Sequence, residues 1–247
     1  MNLQQIIVNA DDFGKSPEVN QGIAMCFERK LINRTTLMVN MPHAAEAVEL
    51  ATRHGFVNQV GLHLNLTEGK PLTDDILHLG YTDAHDCMTK DLIHRLRHTM
   101  FLGSRGTQAL KQEIEAQMQL FRDFGLKNCH VDSHHHIHNE LHILGHTISA
   151  AKKYGFKSMR ILRNLMPRTA PSDIIKLIYK QIQNHRISSQ FDHTDFFGSI
   201  SDYNAYGLDK SGSIEIMVHP VYSDAVLSDS VDHNNLEIQL NGIVLWN

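Results

Sequence analysis

The feature that most restricts this fold is an alternation of two hydrophobic periods along 247 residues. Short apolar runs suited to strands are separated by segments whose apolar residues recur every three to four positions. Residues 5–10 (QIIVNA) end in Asp11 and Asp12, after which Gly14, Ser16 and Pro17 supply a turn, an N-cap and a favoured first helical residue. Val19, Ile23 and Phe27 then form one helical stripe. TTLMVN (35–40) reads as a strand, HAAEAVELATRH (43–54) as a helix closed by Gly55, and QVGLHLNL (59–66) as the next strand. Helical patterns at 89–101 and 107–124 precede NCHVD (128–132), and a helix at 139–154 precedes SMRILR (158–163). A helix opened by Pro171 runs to about 185, and HTDFF (193–197), SIEIMVH (213–219) and GIVLW (242–246) read as further strands.

Strands separated by helices pair in parallel through right-handed crossovers, which leaves a (β/α) barrel or an open doubly wound sheet. No GxGxxG or Walker sequence follows the first strand, so the expectation is an α/β barrel forming a single domain over residues 1–247. Residues 67–88 lack periodicity and read as a lid candidate.

Composition excludes several function classes. A net charge of −4 provides no broad positive field, so nucleic acid and anionic membranes are not expected partners. No run approaches a membrane span, and MNLQQIIVNADD has no positive leader region. Cys26, Cys87 and Cys129 are scattered and odd in number, consistent with a reducing cytoplasm. Histidine is the unusual residue: there are 18, seven of them between His130 and His146.

The placement of polar residues points to chemistry. Asp11 and Asp12, His63 and Asn65, Asp132 and His134, and His219 all fall at the carboxyl ends of predicted strands. In a barrel those ends share one rim, where such folds build their sites. An Asp-Asp pair can merely cap a helix, and a lone strand histidine is usually a hydrogen-bonded core residue. Five histidines and an aspartate within HVDSHHHIH (130–138) exceed what a solvated surface needs. By contrast, His142 and His146 read as a solvated helix face. Imidazoles plus carboxylate form the ligand set of catalytic zinc sites and of ferrous oxygenases. Asp12, His63 and one of His134, His135, His136 or His138 would supply it, leaving Asp11 free to take a proton from water. A turn starting at Asp11 would let both carboxylates reach one cavity.

Together IIVNADDFG (6–14), GLHLNLTEGKPL (61–72), HVDSHHHIH (130–138) and EIMVHP (215–220) resemble the YdjC-like carbohydrate deacetylase family, which includes chitooligosaccharide deacetylases. The resemblance implies a distorted, TIM-like (β/α) barrel related to polysaccharide deacetylases. It also implies a divalent cation, usually magnesium, and hydrolysis of the acetamide of an N-acetylated sugar such as diacetylchitobiose. By motif, Asp11 resembles the catalytic base, Asp12, His63 and His134 the metal ligands, and His219 the general acid; homodimers occur in the family. Two imidazoles favour zinc by ligand softness, so zinc stands beside magnesium. After residue 220 the chain departs from the pattern: Val221 stands where many members have glycine, and no Arg- and Glu-bearing tail helix is visible in SDAVLSDSVDHNN. The nearest rival is a metal-dependent phosphoesterase on the same barrel. An iron oxygenase prefers a jelly roll, and a metal-buffering or sugar-binding module has no use for residues spread over four strand ends.

Overall fold

The computed structural model describes residues 4–80, 82–98, 103–166 and 174–246. Strand β1 (Gln5–Phe13) leads into α1 (Pro17–Glu28), β2 (Arg34–Leu37), α2 (Ala44–Arg53) and β3 (Val60–Leu64). Then come α3 (Asp74–Leu77), α4 (Asp91–His98), α5 (Ser104–Asp123), β4 (His130–Ser133), α6 (Leu141–Lys153) and β5 (Ser158–Met159). The chain continues through α7 (Ile174–Ser188), β6 (Phe196–Ser199), α8 (Ile200–Asp202), β7 (Ser213–Val218), β8 (Pro220–Ser223), β9 (Val226–Asp229) and α9 (Leu236–Gln239).

Seven strands form one parallel sheet in the order β5-β4-β3-β2-β1-β7-β6. At its edges Met159 N–H donates to Asp192 O (3.0 Å), and the N–H groups of Asn164 and Leu165 donate to Phe197 O (3.2 and 3.1 Å). These few bonds draw β5 towards β6, so the sheet is a curled, incomplete barrel and the flat doubly wound alternative fails. Strand alternation sorts its two faces. Val8, Ala10, Leu62, Leu64, Val131, Ile214 and Ile216 are fully buried in the hydrophobic core, while the intervening Asn9, Asp11, Thr36, His63, Asp132 and Glu215 are buried too and hydrogen-bond or ion-pair inside the barrel. Parallel strands covered on both faces are ordinarily apolar throughout; a polar interior therefore marks a site.

The start of α1 follows the sequence signals: Ser16 Oγ accepts from Val19 N–H, and Pro17 opens the helix. Three strand expectations need correction. Residues 242–246 reduce to one parallel bridge between Leu245 and Ile6, because β2 pairs with β1 from Asn9 onward and leaves only the first residues of that side open. Of residues 158–163 only Ser158 and Met159 form strand, paired with His130 and Val131, since the chain then crosses to the other edge. The 193–197 strand lies at Phe196–Ser199. The expected helix start at Pro171 lies outside the described residues. The β8–β9 hairpin, antiparallel from Pro220↔Asp229 to Ser223↔Val226, has no counterpart in the periodicity reading.

Candidate active site

At the end of β1 the register with β2 slips between Ala10 and Phe13, and Asp12 adopts a left-handed φ of 70°. Aspartate tolerates that region better than most side chains, and the kink is the anticipated turn: it gives two consecutive carboxylates access to the barrel mouth. Asp11 receives a two-pronged bond from Arg160, Nη1 to Oδ2 at 2.8 Å and Nη2 to Oδ1 at 2.7 Å, and a further one from Asn9 Nδ2 at 2.7 Å. Burial opposes ionisation of Asp11, but the Arg160 charge outweighs it and holds the carboxyl below its ordinary range.

Asp12 meets both histidines. Its Oδ1 lies 3.2 Å from His63 Nε2 and 2.8 Å from His134 Nδ1. Neither nitrogen reaches it at a hydrogen-bonding angle, so this buried oxygen has no hydrogen-bond partner. Ligand atoms of Asp12, His63 and His134 lie within 4.8 Å of one another; three Lewis bases thus converge without satisfying each other, and the group can hold a metal ion. The far nitrogens are engaged by carboxylates: His63 Nδ1 by Asp132 Oδ1 at 2.7 Å, His134 Nε2 by Glu68 Oε2 at 2.9 Å. Such partners fix tautomer and ring orientation at metal centres. Burial works against a charged His63, yet Asp132, Asp12 and Asp11 push its pKa up to about 10. Negative charge here is in excess, and a proton takes up what a cation would otherwise balance.

Of the four histidines left open by the sequence, His134 is the one against Asp12. His135 Nδ1 bonds Thr67 Oγ1 (2.8 Å), His136 sits edge-on to Phe197 (5.6 Å between centroids), and His138 bonds Ser133 and Arg160 O. The backbone is left-handed at His135 and His136 (φ 50° and 54°), and the His135 ring lies beside that of His134, centroids 3.8 Å apart. His142 and His146 are both partly exposed on α6.

His219 follows β7. Its N–H donates to Asp229 Oδ2 (2.7 Å), and its Nδ1 lies 3.8 Å from Asp229 Oδ1. Burial would lower the imidazole pKa, but Asp229, Asp11 and Asp12 together raise it.

With this geometry in place, a protein-family model described as YdjC-like protein matches residues 5–241. The chain belongs to the YdjC-like family. Among curated relatives, a carbohydrate deacetylase of Thermoanaerobacter pseudethanolicus is 30% identical over 96% of this chain and 89% of the relative. One from Halalkalibacterium halodurans is 32% identical over 90% and 87%. An Enterococcus faecalis crystal structure, described as a proposed cellobiose-phosphate cleavage protein, superposes with a TM-score of 0.69 at 24% identity, covering 91% of this chain and 83% of that one. That likeness shows the fold, an α/β barrel of the YdjC-like kind.

Beyond the motifs that identify the YdjC-like family, the structure adds residues to the site. Arg160, fully buried, also meets Asp132 Oδ2 (2.7 Å) and Glu215 Oε1 (2.6 Å), with its guanidinium 4.7 Å above the Phe197 ring. Asp132 was visible as a strand-end carboxylate; Arg160, Glu68 and Asp229 were not singled out. One signal existed for Arg160: a cation set between Met159 and Ile161 in a predicted strand must find buried partners. Asp229 lies on β9, and the hairpin brings it back to His219.

Proposed function

We propose that this chain removes the N-acetyl group from an N-acetylated sugar of the chitooligosaccharide class, such as N,N′-diacetylchitobiose, with the help of a divalent cation. The observation that carries this reading is the buried Asp12 Oδ1, faced by His63 and His134 and left without a hydrogen bond. The family and its curated relatives support a hydrolase of the carbohydrate deacetylase class.

Asp12, His63 and His134 would hold the cation, magnesium by resemblance or zinc by ligand softness. When bound, it would polarise the acetyl carbonyl and acidify a water. Asp11, kept ionised by Arg160, accepts the water proton as the oxygen attacks the carbonyl carbon. Its depressed pKa makes it a weak base at rest, which suits a water already acidified. His219, whose protonated form Asp229 favours, donates to the nitrogen as the C–N bond breaks; acetate and a free amine leave. The reading also includes a cytoplasmic location and a homodimer, the latter checked by light scattering. No helix of the described residues is long and apolar enough to cross a membrane.

Acetate release from N,N′-diacetylchitobiose, measured after chelation and again after returning Mg²⁺ or Zn²⁺, tests this directly. Acetate that depends on added metal is expected. Metal-independent turnover, or release of phosphate from sugar phosphates with no acetate, would overturn it; the latter would favour the phosphoesterase.

A further inference from the structure

We propose, on the reading of His134 as a metal ligand, that Glu68 is a positioning residue for that histidine and that α5 supports it by fixing the loop that presents it. Glu68 Oε2 lies 2.9 Å from His134 Nε2 and accepts from Lys15 Nζ at 2.8 Å; Lys15 Nζ is in turn 3.8 Å from Asp12 Oδ2. His134 turns Nδ1 towards Asp12, so its orientation depends on what engages the opposite nitrogen. The two residues after it have left-handed backbone, and the contact that aims its ring comes from a separate segment of the chain. A carboxylate at Nε2 holds the proton on that side and makes Nδ1 the electron-rich donor.

Glu68 belongs to the stretch read from sequence as a lid, but the first part of that stretch is clamped. Gln117 of α5 accepts from Asn65 N–H (2.9 Å) and donates to Asn65 O (2.6 Å), and Asn65 Nδ2 donates to Glu68 O at 2.7 Å. One turn earlier on α5, Glu113 Oε2 accepts from Leu72 N (3.0 Å), Thr73 N (2.9 Å) and Thr73 Oγ1 (2.7 Å). Gln117 Nε2 also donates to Glu113 Oε1 at 2.8 Å. Both side chains are buried on the inner face of α5, where an unpartnered carboxylate or amide is strongly disfavoured. Bonding to the loop is what makes them tolerable there, and the loop's only charged contact with the cluster is through Glu68 among the described residues.

The test is Mn²⁺ titration of the chelator-stripped full-length protein, with free Mn²⁺ read by electron paramagnetic resonance. Glu68→Ala and Glu68→Met should each weaken Mn²⁺ affinity about 10- to 100-fold, and His134→Ala more. The melting temperature of the stripped protein should hardly change for the Glu68 variants, because that side chain is about one-third exposed (35%). Wild-type Mn²⁺ affinity in both Glu68 variants would overturn the assignment, as would a matching fall in melting temperature. Unchanged affinity in His134→Ala would instead overturn the ligand reading beneath it.

Discussion

Asp11 at the end of β1 and His219 after β7 are shifted towards opposite charges, and each charge favours the other. The Arg160 fork favours the ionised form of Asp11, and the carboxylate neighbours of His219 favour its protonated form. If His219 is the acid, activity falls as pH rises through its raised pKa. Asp229→Asn removes part of that support and lowers the His219 pKa, so the alkaline limb of the pH–kcat/KM profile should move to lower pH; an unmoved limb would remove His219 from the role. Asp11→Asn should bind metal normally and lower kcat by roughly 10²- to 10⁴-fold, checked by acetate release beside Mn²⁺ titration. Asp11, Asp12, His63, His134 and His219 were legible one by one because each ends a strand. Which of the clustered histidines meets Asp12 was not legible from residue type, since neighbouring imidazoles in HHHIH carry the same label, and only the fold sets His134 Nδ1 2.8 Å from Asp12 Oδ1.

At the scale of elements, the β8–β9 hairpin packs on α1 beside His219. β8 lies on α1 at Gly22, where a Cβ would stand 3.0 Å from the backbone N, Cα and C of Val221. Glycine inside a helix usually costs about 0.5–1 kcal/mol relative to alanine, so alanine would ordinarily stabilise α1. Here the clash is with backbone that cannot rotate away, and Gly22→Ala should instead destabilise the protein by about 1–3 kcal/mol in urea denaturation, with reduced turnover because β8 begins right after His219. The hairpin escaped the sequence reading because its short strands carry mixed polarity, SDAVLSD, and its pairing needs a floor supplied by α1. GIVLW had the right composition for a strand but found only the first residues of β1 open, since β2 pairs from Asn9 onward.

For the molecule as a whole, the barrel interior is a closed network of charge. Arg160 and Arg34 meet Glu215 at 2.6 Å each, and Arg160 also meets Asp11 and Asp132. Burial would raise the Glu215 pKa, but Arg34 and Arg160 bring it from an ordinary 4.5 down to about 2. A carboxylate depressed on folding stabilises the fold above its unfolded pKa and loses that contribution as pH falls. This part of the stability should therefore fade between pH 4.5 and about 2. Glu215→Gln leaves two buried guanidiniums short of charge and should cost about 3–5 kcal/mol at neutral pH. It should also flatten the acid side of the stability profile, measured by urea denaturation at several pH values.

By itself, the sequence determined the alternating parallel architecture and the rim on which its polar residues gather. Strand period is local, and parallel strands all point their carboxyl ends the same way. Only the tertiary structure decided the pairings: Arg160 with Asp11 across 149 positions, Asp132 behind His63, Glu68 behind His134, Asp229 beside His219. Those contacts are made by sheet curvature and loop closure, which bring together residues whose local sequence carries no trace of one another.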